Sequence, residues 1–205
     1  MPPPWHGQAM SSRWSAFSRI SPASSNPMLS YPQDVLLTDR LFMRKIDQSD
    51  LAALYPVHSV DAVNRFLPYE TWQSFEDAEK WWQRTSERMD SGTGIQFVIG
   101  LRQNGELIGS CTLFAYDEPA RRAEVGYVLG QAYWGRKLGG EAVHGLLDFA
   151  FSRLALRRIE ARVDTRNVAS ARLLQRLGFS SEGCLRQWQQ DCDLQLFGLL
   201  REEWP

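Results

Sequence analysis

The sequence predicts a single α/β domain over residues 34–205, a mixed central sheet flanked by helices. Three observations carry that prediction: an Asn-Gly hairpin between two apolar strands, a strand running straight into a glycine-rich turn and an apolar-periodic helix, and a second strand-helix unit followed by two closing strands. A chain of 205 residues, 43% hydrophobic and 23% charged, has ordinary globular composition and is long enough for one well-buried core.

Within "VLLTDRLFMRKI" (35–46), Leu41 and Met43 alternate and Ile46 follows, which predicts a first strand. Asp47 to Asp50 supply an N-cap and an acidic first turn for a short helix through Leu51, Leu54 and Tyr55, expected to be limited by Pro56. Ser74-Phe-Glu-Asp77 is a second helix start, with Ala78, Trp81 and Trp82 on its buried stripe. Between them "NRFLPYETW" reads as an aromatic-rich surface loop.

"FVIGLR" and "ELIGSCTLFAY" flank Gln103-Asn104-Gly105, where Asn-Gly suits a tight hairpin because both residues tolerate positive φ. "AEVGYVLG" (123–130) is the next strand and delivers the chain to "YWGRKLGGEAV". The helix that follows should bury Val143, Leu146, Leu147, Ala150 and Leu154. "RRIEARVD" (157–164) alternates Ile159, Ala161 and Val163 as a strand. Asn167 can cap a helix facing its core with Leu173, Leu174 and Leu177, and Gly178-Phe179 supplies its stop. Strands around "GCLRQW" and "LQLFGLL" close the domain.

Residues 1–33 are rich in Pro and Ser, carry Arg13 and Arg19 and have no core-forming period, so they read as a disordered or mis-assigned leader, with Met28 an alternative start. A net charge of -1 gives no global attraction to nucleic acid. Three cysteines, with no C-x-x-C, and three scattered histidines predict neither a disulfide framework nor a metal site. No apolar run is long enough for a membrane helix, and the expected location is cytoplasmic. Oligomeric state is not legible.

A strand ending in a glycine turn at a helix N-terminus gathers free N–H groups and the positive helix end on one spot, which is an anion site suited to a pyrophosphate. Gly135 to Gly140 lacks the Lys-Ser/Thr of a Walker loop, and no G-x-G-x-x-G occurs. A plain tight turn is the alternative.

Taken in order, "AEVGYVLG", "YWGRKLGGEA", "RRIEARVDTRNVASARLLQRLGF" and "EGCLRQWQQDCDLQLFGLLREEW" resemble the GNAT superfamily of acetyl-CoA-dependent N-acetyltransferases, most nearly its RimJ/RimL-type branch. The likeness runs from Thr38 to Trp204. It implies a GNAT fold in which the strands of "AEVGYVLG" and "RRIEARVD" are parallel and splay apart around a pantetheine arm. The resemblance assigns acetyl-CoA contacts to Val128 and Leu129 through their backbone, to Arg136, Lys137, Leu138, Gly139, Gly140 and Glu141 in the pyrophosphate turn, and to Asn167 and Ser170 near the thiol. Here Trp134 stands at the pattern's polar first position and Lys137 at its middle glycine.

Acetyl transfer needs a neutral amine, an oxyanion donor and a proton for the thiolate. By resemblance Glu124 is the base; as a strand carboxylate it is equally an ion-pair partner for Arg121 or Arg122. Glu160, Asp193 and Glu70 are further candidates. The tyrosine acid that many members carry seven residues after the Asn is Leu174 here, leaving Ser170 or water for that role, and Phe197 stands where the pattern after Asp193 has another tyrosine. The substrate loop of the branch falls on Tyr69, Glu70 and Trp72, although Trp72 equally suits a core. Asn167 is otherwise a helix cap, Ser170 a solvated helix residue and Asp193 a turn cap. The expected reaction moves acetyl to a primary amine, a protein N-terminal α-amine; a small amine or amino acid, or silent acyl-CoA binding, are the alternatives.

Overall fold

The computed structural model describes residues 35–189 and 192–205; the expected leader over 1–33 lies outside them. The first expected strand is two, β1 (Leu36–Leu37) and β2 (Leu41–Lys45), folded antiparallel. Asp47 is the expected N-cap, on a single 3-10 turn, and with Asp50 it forms a capping box: Asp47 Oδ1 accepts the Ser49 N–H at 2.9 Å, and Asp50 Oδ2 accepts the Asp47 N–H at 2.8 Å. Arg44 grips the Asp50 carboxylate with both terminal nitrogens, at 2.7 and 2.6 Å. Helix α1 (Leu51–His58) continues through Pro56 to His58, two residues past the expected limit. The missing N–H of Pro56 costs one bond, but the Ser59 N–H still reaches Tyr55 O and closes the last turn.

A short α2 (Asp61–Asn64) leads into the aromatic loop, and α3 (Phe75–Asp90) starts at Ser74 with the expected Ser74/Asp77 box. Strands β3 (Ile95–Leu101) and β4 (Leu107–Asp117) form the expected hairpin, though only Gly105 takes positive φ, at 76°. The Asn104 side-chain Oδ1 instead accepts the Glu106 N–H at 3.1 Å, and the turn spans more than Asn104-Gly105. Next come β5 (Arg122–Leu129), α4 (Leu138–Ser152), β6 (Arg158–Asp164), α5 (Val168–Arg176), β7 (Ser180–Gln189) and β8 (Cys192–Leu200).

The eight strands lie in the order β1-β2-β3-β4-β5-β6-β8-β7, with β5 and β6 the parallel pair. Alternation divides the sheet between two cores. Ile95, Phe97, Ile99, Val125, Ile159 and Ala161 meet Val143, Leu146, Leu147 and Ala150 of α4, while Val98 on the other face meets Leu54, Ala78 and Trp81. Leu154, expected on the α4 stripe, lies beyond the helix end and is only partly buried. Trp204 packs on Phe151 and donates its indole N–H to Asp148 at 2.9 Å, tying the C-terminus to α4. No helix among the described residues is long and apolar enough to cross a membrane.

The second core contains a wholly buried His58. Its ring lies 4.4 Å from Trp72 and 5.8 Å from Tyr69, centroid to centroid. Nδ1 faces Asn64 Oδ1 at 3.3 Å, whereas Nε2 has no partner. Burial pushes its pKa down to about 4, against the raising effect of Asn64. Between that value and 6.5 the unfolded chain takes a proton that the folded chain refuses, so stability is full above this window and falls as pH drops through it. Denaturant midpoints taken from pH 7 to pH 4 should therefore show the parent losing up to about 3 kcal/mol more than H58F. Parallel curves for the two proteins would mean that His58 is not kept neutral by the fold.

Candidate active site

The site is built around a gap in the sheet. Strands β5 and β6 pair only at Arg122 with Arg158, Ala123 with Ile159 and Glu124 with Glu160, whereas β5 stays registered on β4 as far as Leu129 with Gly109. Beyond Glu124 the two parallel strands diverge. The Gly130 N–H donates to Ile108 O on β4 at 2.8 Å, so the Leu129 carbonyl at the other end of that peptide points into the gap. Alternation then turns the backbone groups of Tyr127 into the gap as well and those of Val128 toward β4. A Cβ on Gly109 would lie 2.1 Å from the Val128 oxygen, which fits that direction. Val128 thus faces away from the gap with its peptide and packs its side chain on Val57 and Val63; Leu129 and Tyr127 present the free edge. The Leu129 oxygen accepts the Trp134 indole N–H at 2.8 Å.

After β5 the chain makes a 3-10 turn over Gln131–Tyr133 and reaches α4 through Gly135, at φ 72°, and Lys137, at φ 62°. Lys137 is the N-cap and offers no side-chain bond; the first helical bond runs from Glu141 N–H to Lys137 O at 3.2 Å. The N–H groups of Leu138, Gly139 and Gly140 therefore lie ahead of the helical ladder, at its positive end. A Cβ on Gly139 would press on Leu129 and Leu173 at 3.3 and 3.4 Å, while Gly140 faces open space.

Two residues assigned to this turn point elsewhere. The Arg136 guanidinium lies 5.7 Å from the Tyr133 ring centroid, outside the cleft, and its carbonyl accepts from Arg40. The Glu141 carboxylate takes the Thr38 hydroxyl at 2.6 Å and the Arg40 N–H and Nε at 2.7 Å each, anchoring the β1–β2 turn. Partial burial opposes ionisation of Glu141, but these bonds hold its pKa below the ordinary value.

A cleft of about 1700 Å³ joins the gap and the turn, lined among others by Tyr127, Leu129, Lys137, Gly139, Asn167 and Ser170. Asn167 caps α5, its Oδ1 accepting the Ser170 N–H at 3.2 Å. Ser170 Oγ lies 2.8 Å from the Tyr127 hydroxyl, and burial raises the Tyr127 pKa against the lowering effect of Ser170. Tyr127 was not singled out by sequence; its period-2 relation to Val125 and Leu129 is the signal that places it beside them. Leu174 is wholly buried core.

Glu124 occupies the opposite face of the sheet, at the closed end of the gap, 7% exposed. Its partner is Arg162, not Arg121 or Arg122: Arg162 Nη1 bonds Glu124 Oε2, while Arg122 bonds Asp117 at 3.3 Å and Glu160 at 3.1 Å. Burial is the main cause of a raised Glu124 pKa; the Arg162 charge opposes it and nearby Glu160 adds to it. Glu160 is also held by Arg158 at 2.8 Å, and Arg158 in turn grips Glu182. Asp193 accepts the Gln187 N–H at 2.8 Å, a hairpin role, and Phe197 is wholly buried.

Two of the three residues of the expected substrate loop pack into the second core. Trp72 is 3% exposed, stacked against His58 in the core, and Tyr69 packs on the same cluster with its hydroxyl bonded to Trp81. Glu70 is exposed but does not line the cleft, which Arg65, Phe66 and Leu67 of this loop reach instead. Sequence alone does not distinguish Phe66 from Tyr69 and Trp72 before the chain is folded. Among the described residues no group of His, Cys, Asp and Glu could hold a metal ion.

The family described as Acetyltransferase (GNAT) domain matches residues 40–180. An uncharacterized N-acetyltransferase p20 of Bacillus licheniformis is 33% identical over 175 residues, covering 83% of this chain and 98% of the relative. Among solved structures, RimL, a ribosomal L7/L12 alpha-N-protein acetyltransferase in complex with coenzyme A, shares the fold with a TM-score of 0.74 at 21% identity, over 82% of this chain and 98% of that one. The spermidine N-acetyltransferase of Vibrio cholerae in complex with CoA and spermine shares it at 0.72 and 20%, over 81% and 98%.

The left-handed backbone at Lys137 gives a direct test of the turn. Lys137→Gly is expected to hold thermal stability or raise it by up to about 1 kcal/mol, strain relief being offset by the greater freedom of glycine when unfolded. Lys137→Val, β-branched at positive φ, should lower it by at least about 1 kcal/mol in the same melts. Equal melting of the two variants would show that the turn does not impose this conformation.

Proposed function

The chain belongs to the GNAT acetyltransferase family, and on that premise we propose that it transfers the acetyl group of acetyl-CoA to a protein N-terminal α-amine. The observation that carries acetyl transfer is the gap between β5 and β6 opening onto the unpaired N–H groups of Leu138, Gly139 and Gly140. Those groups and the end of α4 suit a pyrophosphate, with the Lys137 ammonium beside them. The backbone of Tyr127 and Leu129 suits the amides of a pantetheine arm, the Trp134 indole yielding the Leu129 oxygen when such an arm lies in the gap.

Glu124 supports the assignment of the base. It sits at the closed end of the gap but on the other face, so an amine reaches a thioester there from the side opposite α4 and α5. Its raised pKa makes it a stronger proton acceptor than an ordinary glutamate, with Arg162 holding the carboxylate in place. An α-amine, near 8, loses its proton far more readily than a lysine near 10.4, which favours an N-terminal acceptor for a carboxylate base.

The charge pattern of this face favours the same acceptor over a polyamine. Glu124, Glu160, Glu182 and Asp117 are each paired with Arg162, Arg158 or Arg122. A polycation gains from successive unpaired carboxylates, and this ladder offers it carboxylates already neutralised.

With acetyl-CoA saturating, peptides with a free N-terminus are expected to give a higher kcat/KM than spermidine or an N-blocked lysine peptide. Preference for spermidine would overturn the acceptor, and no turnover of any amine would overturn the transferase reading. Glu124→Gln should lower kcat by about 10² or more while calorimetric acetyl-CoA affinity holds, and the loss should shrink at high pH, where the amine is already neutral. A pH-independent loss accompanied by a lower melting temperature would make Glu124 structural.

A further inference from the structure

We propose that Arg162 is the specificity residue of the acceptor site. While its Nη1 holds Glu124, its Nη2 receives the carbonyl oxygen that stands next to the amine, so the site selects an α-amino-acyl group over a bare alkylamine. This rests on the transferase reading above and deepens it.

The arginines of the ladder separate by how much of each is spent. Arg122 gives Nε and Nη2 to Asp117, both at 3.3 Å, and Nη1 to Glu160 at 3.1 Å. Arg158 gives Nε to Glu160 at 2.8 Å and both terminal nitrogens to Glu182. The Arg162 side chain makes one hydrogen bond among the described residues, from Nη1 to Glu124. Its Nη2 stops 3.8 Å from Glu160 Oε2, an ion-pair distance too long for a hydrogen bond, and its Nε is enclosed without a partner. The side chain is 30% exposed, which leaves Nη2, not the enclosed Nε, as the donor that a ligand can reach.

That open donor is the neighbour of the nitrogen that holds the base. Nη1 and Nη2 share one planar carbon, and an α-amine is joined to the carbonyl oxygen of its own residue through Cα and the carbonyl carbon. An amine nitrogen at the Glu124 carboxylate therefore carries its carbonyl oxygen into reach of Nη2. A lysine side chain or a polyamine carries methylenes at that place. Such a chain would cover Nη2 from water and give it no acceptor, which turns a missing contact into a cost.

Trp188 completes the site. The Arg162 guanidinium lies 5.6 Å from its ring centroid, and the indole is itself 54% exposed. An aromatic face beside the guanidinium holds it in place and displaces water from it, which strengthens a bond made there. The same indole lines a concavity of about 720 Å³ with Leu185, Arg186 and Asp193 of the β7–β8 hairpin. That concavity gives the residues after the first a path out of the site, and the opposite charges of Arg186 and Asp193 impose no net charge on them.

The test uses the full chain, saturating acetyl-CoA and two acceptors of one shape. One is a peptide with a free N-terminus. The other is its isostere with a trans carbon–carbon double bond for the first peptide bond, which keeps the amine and removes the carbonyl oxygen together with the N–H after it. Taking kcat/KM per unprotonated amine cancels the difference in basicity. The parent should prefer the peptide by about 10-fold to 10²-fold, the range of a hydrogen bond to a charged donor. R162M should remove most of that preference, and R162K should lower it too, because one ammonium cannot serve Glu124 and the acceptor in the geometry of a guanidinium. A role confined to holding Glu124 would slow both acceptors alike and leave their ratio at the parent value. A parent ratio near one, or a ratio that either variant preserves, overturns Arg162 as the specificity residue and leaves the transferase reading standing. A parent that acetylates neither amine overturns that reading and this one with it. If R162M melts early, because Glu124 is left buried without its partner, R162K decides.

Discussion

The arrangement depends on how soon two parallel strands part. Three residue pairs hold β5 to β6, and past Glu124 the strands diverge while β5 remains fully laddered to β4. A strand edge in a protein interior is costly when its N–H and C=O groups find no partner. Here that edge faces an open cleft, and the Trp134 indole takes one of its carbonyls. The backbone is thereby left ready to receive an extended ligand, with Lys137 at φ 62° among the left-handed non-glycine residues of the chain.

The gap also divides labour between the two faces of the sheet. On the side of α4 and α5 stand neutral donors: the N–H groups opening α4 and the Tyr127–Ser170 hydroxyls. On the other side stands a ladder of arginine–carboxylate pairs from Asp117 to Glu182 with Glu124 at its buried end. A ligand threaded through the gap is exposed to both. The Glu124 carboxylate and the Tyr127–Ser170 hydroxyls thus stand on opposite faces of the sheet. Arg162, whose guanidinium also lies 5.6 Å from the exposed Trp188 ring centroid, connects Glu124 to the β7–β8 hairpin.

Burial explains why some chemically suggestive residues are structural. Trp72 suits a substrate loop in sequence, yet it stacks on His58 within the second core, and the cost of charging His58 there keeps the imidazole neutral. Glu141 likewise sits in the first turn of α4, where an anion site invites a role, but its carboxylate is consumed by Thr38 and Arg40. Its contribution is to fix the β1–β2 turn against the helix that carries the site.

Local chemistry determined much of the fold from sequence alone. Ser74 and Asp77 announce α3 because they satisfy each other's orphan N–H groups, the period of Val143, Leu146, Leu147 and Ala150 marks the buried face of α4, and Asn167 caps α5 as its side chain permits. These signals act within a few residues, so a linear reading finds them. The glycine turn and the candidate base were legible for the same reason, with resemblance supplying their roles. What only the tertiary structure decided depends on partners far apart in the chain. Whether Glu124 meets Arg122 or Arg162 turns on the β5–β6 register, whether Tyr127 meets Ser170 turns on how α5 packs over β5, and whether Phe66 or Trp72 faces the cleft turns on how the aromatic loop folds onto the second core. Sequence spacing holds no record of these contacts, because each is set by packing and by the direction of a peptide in a sheet that forms only when the whole domain does.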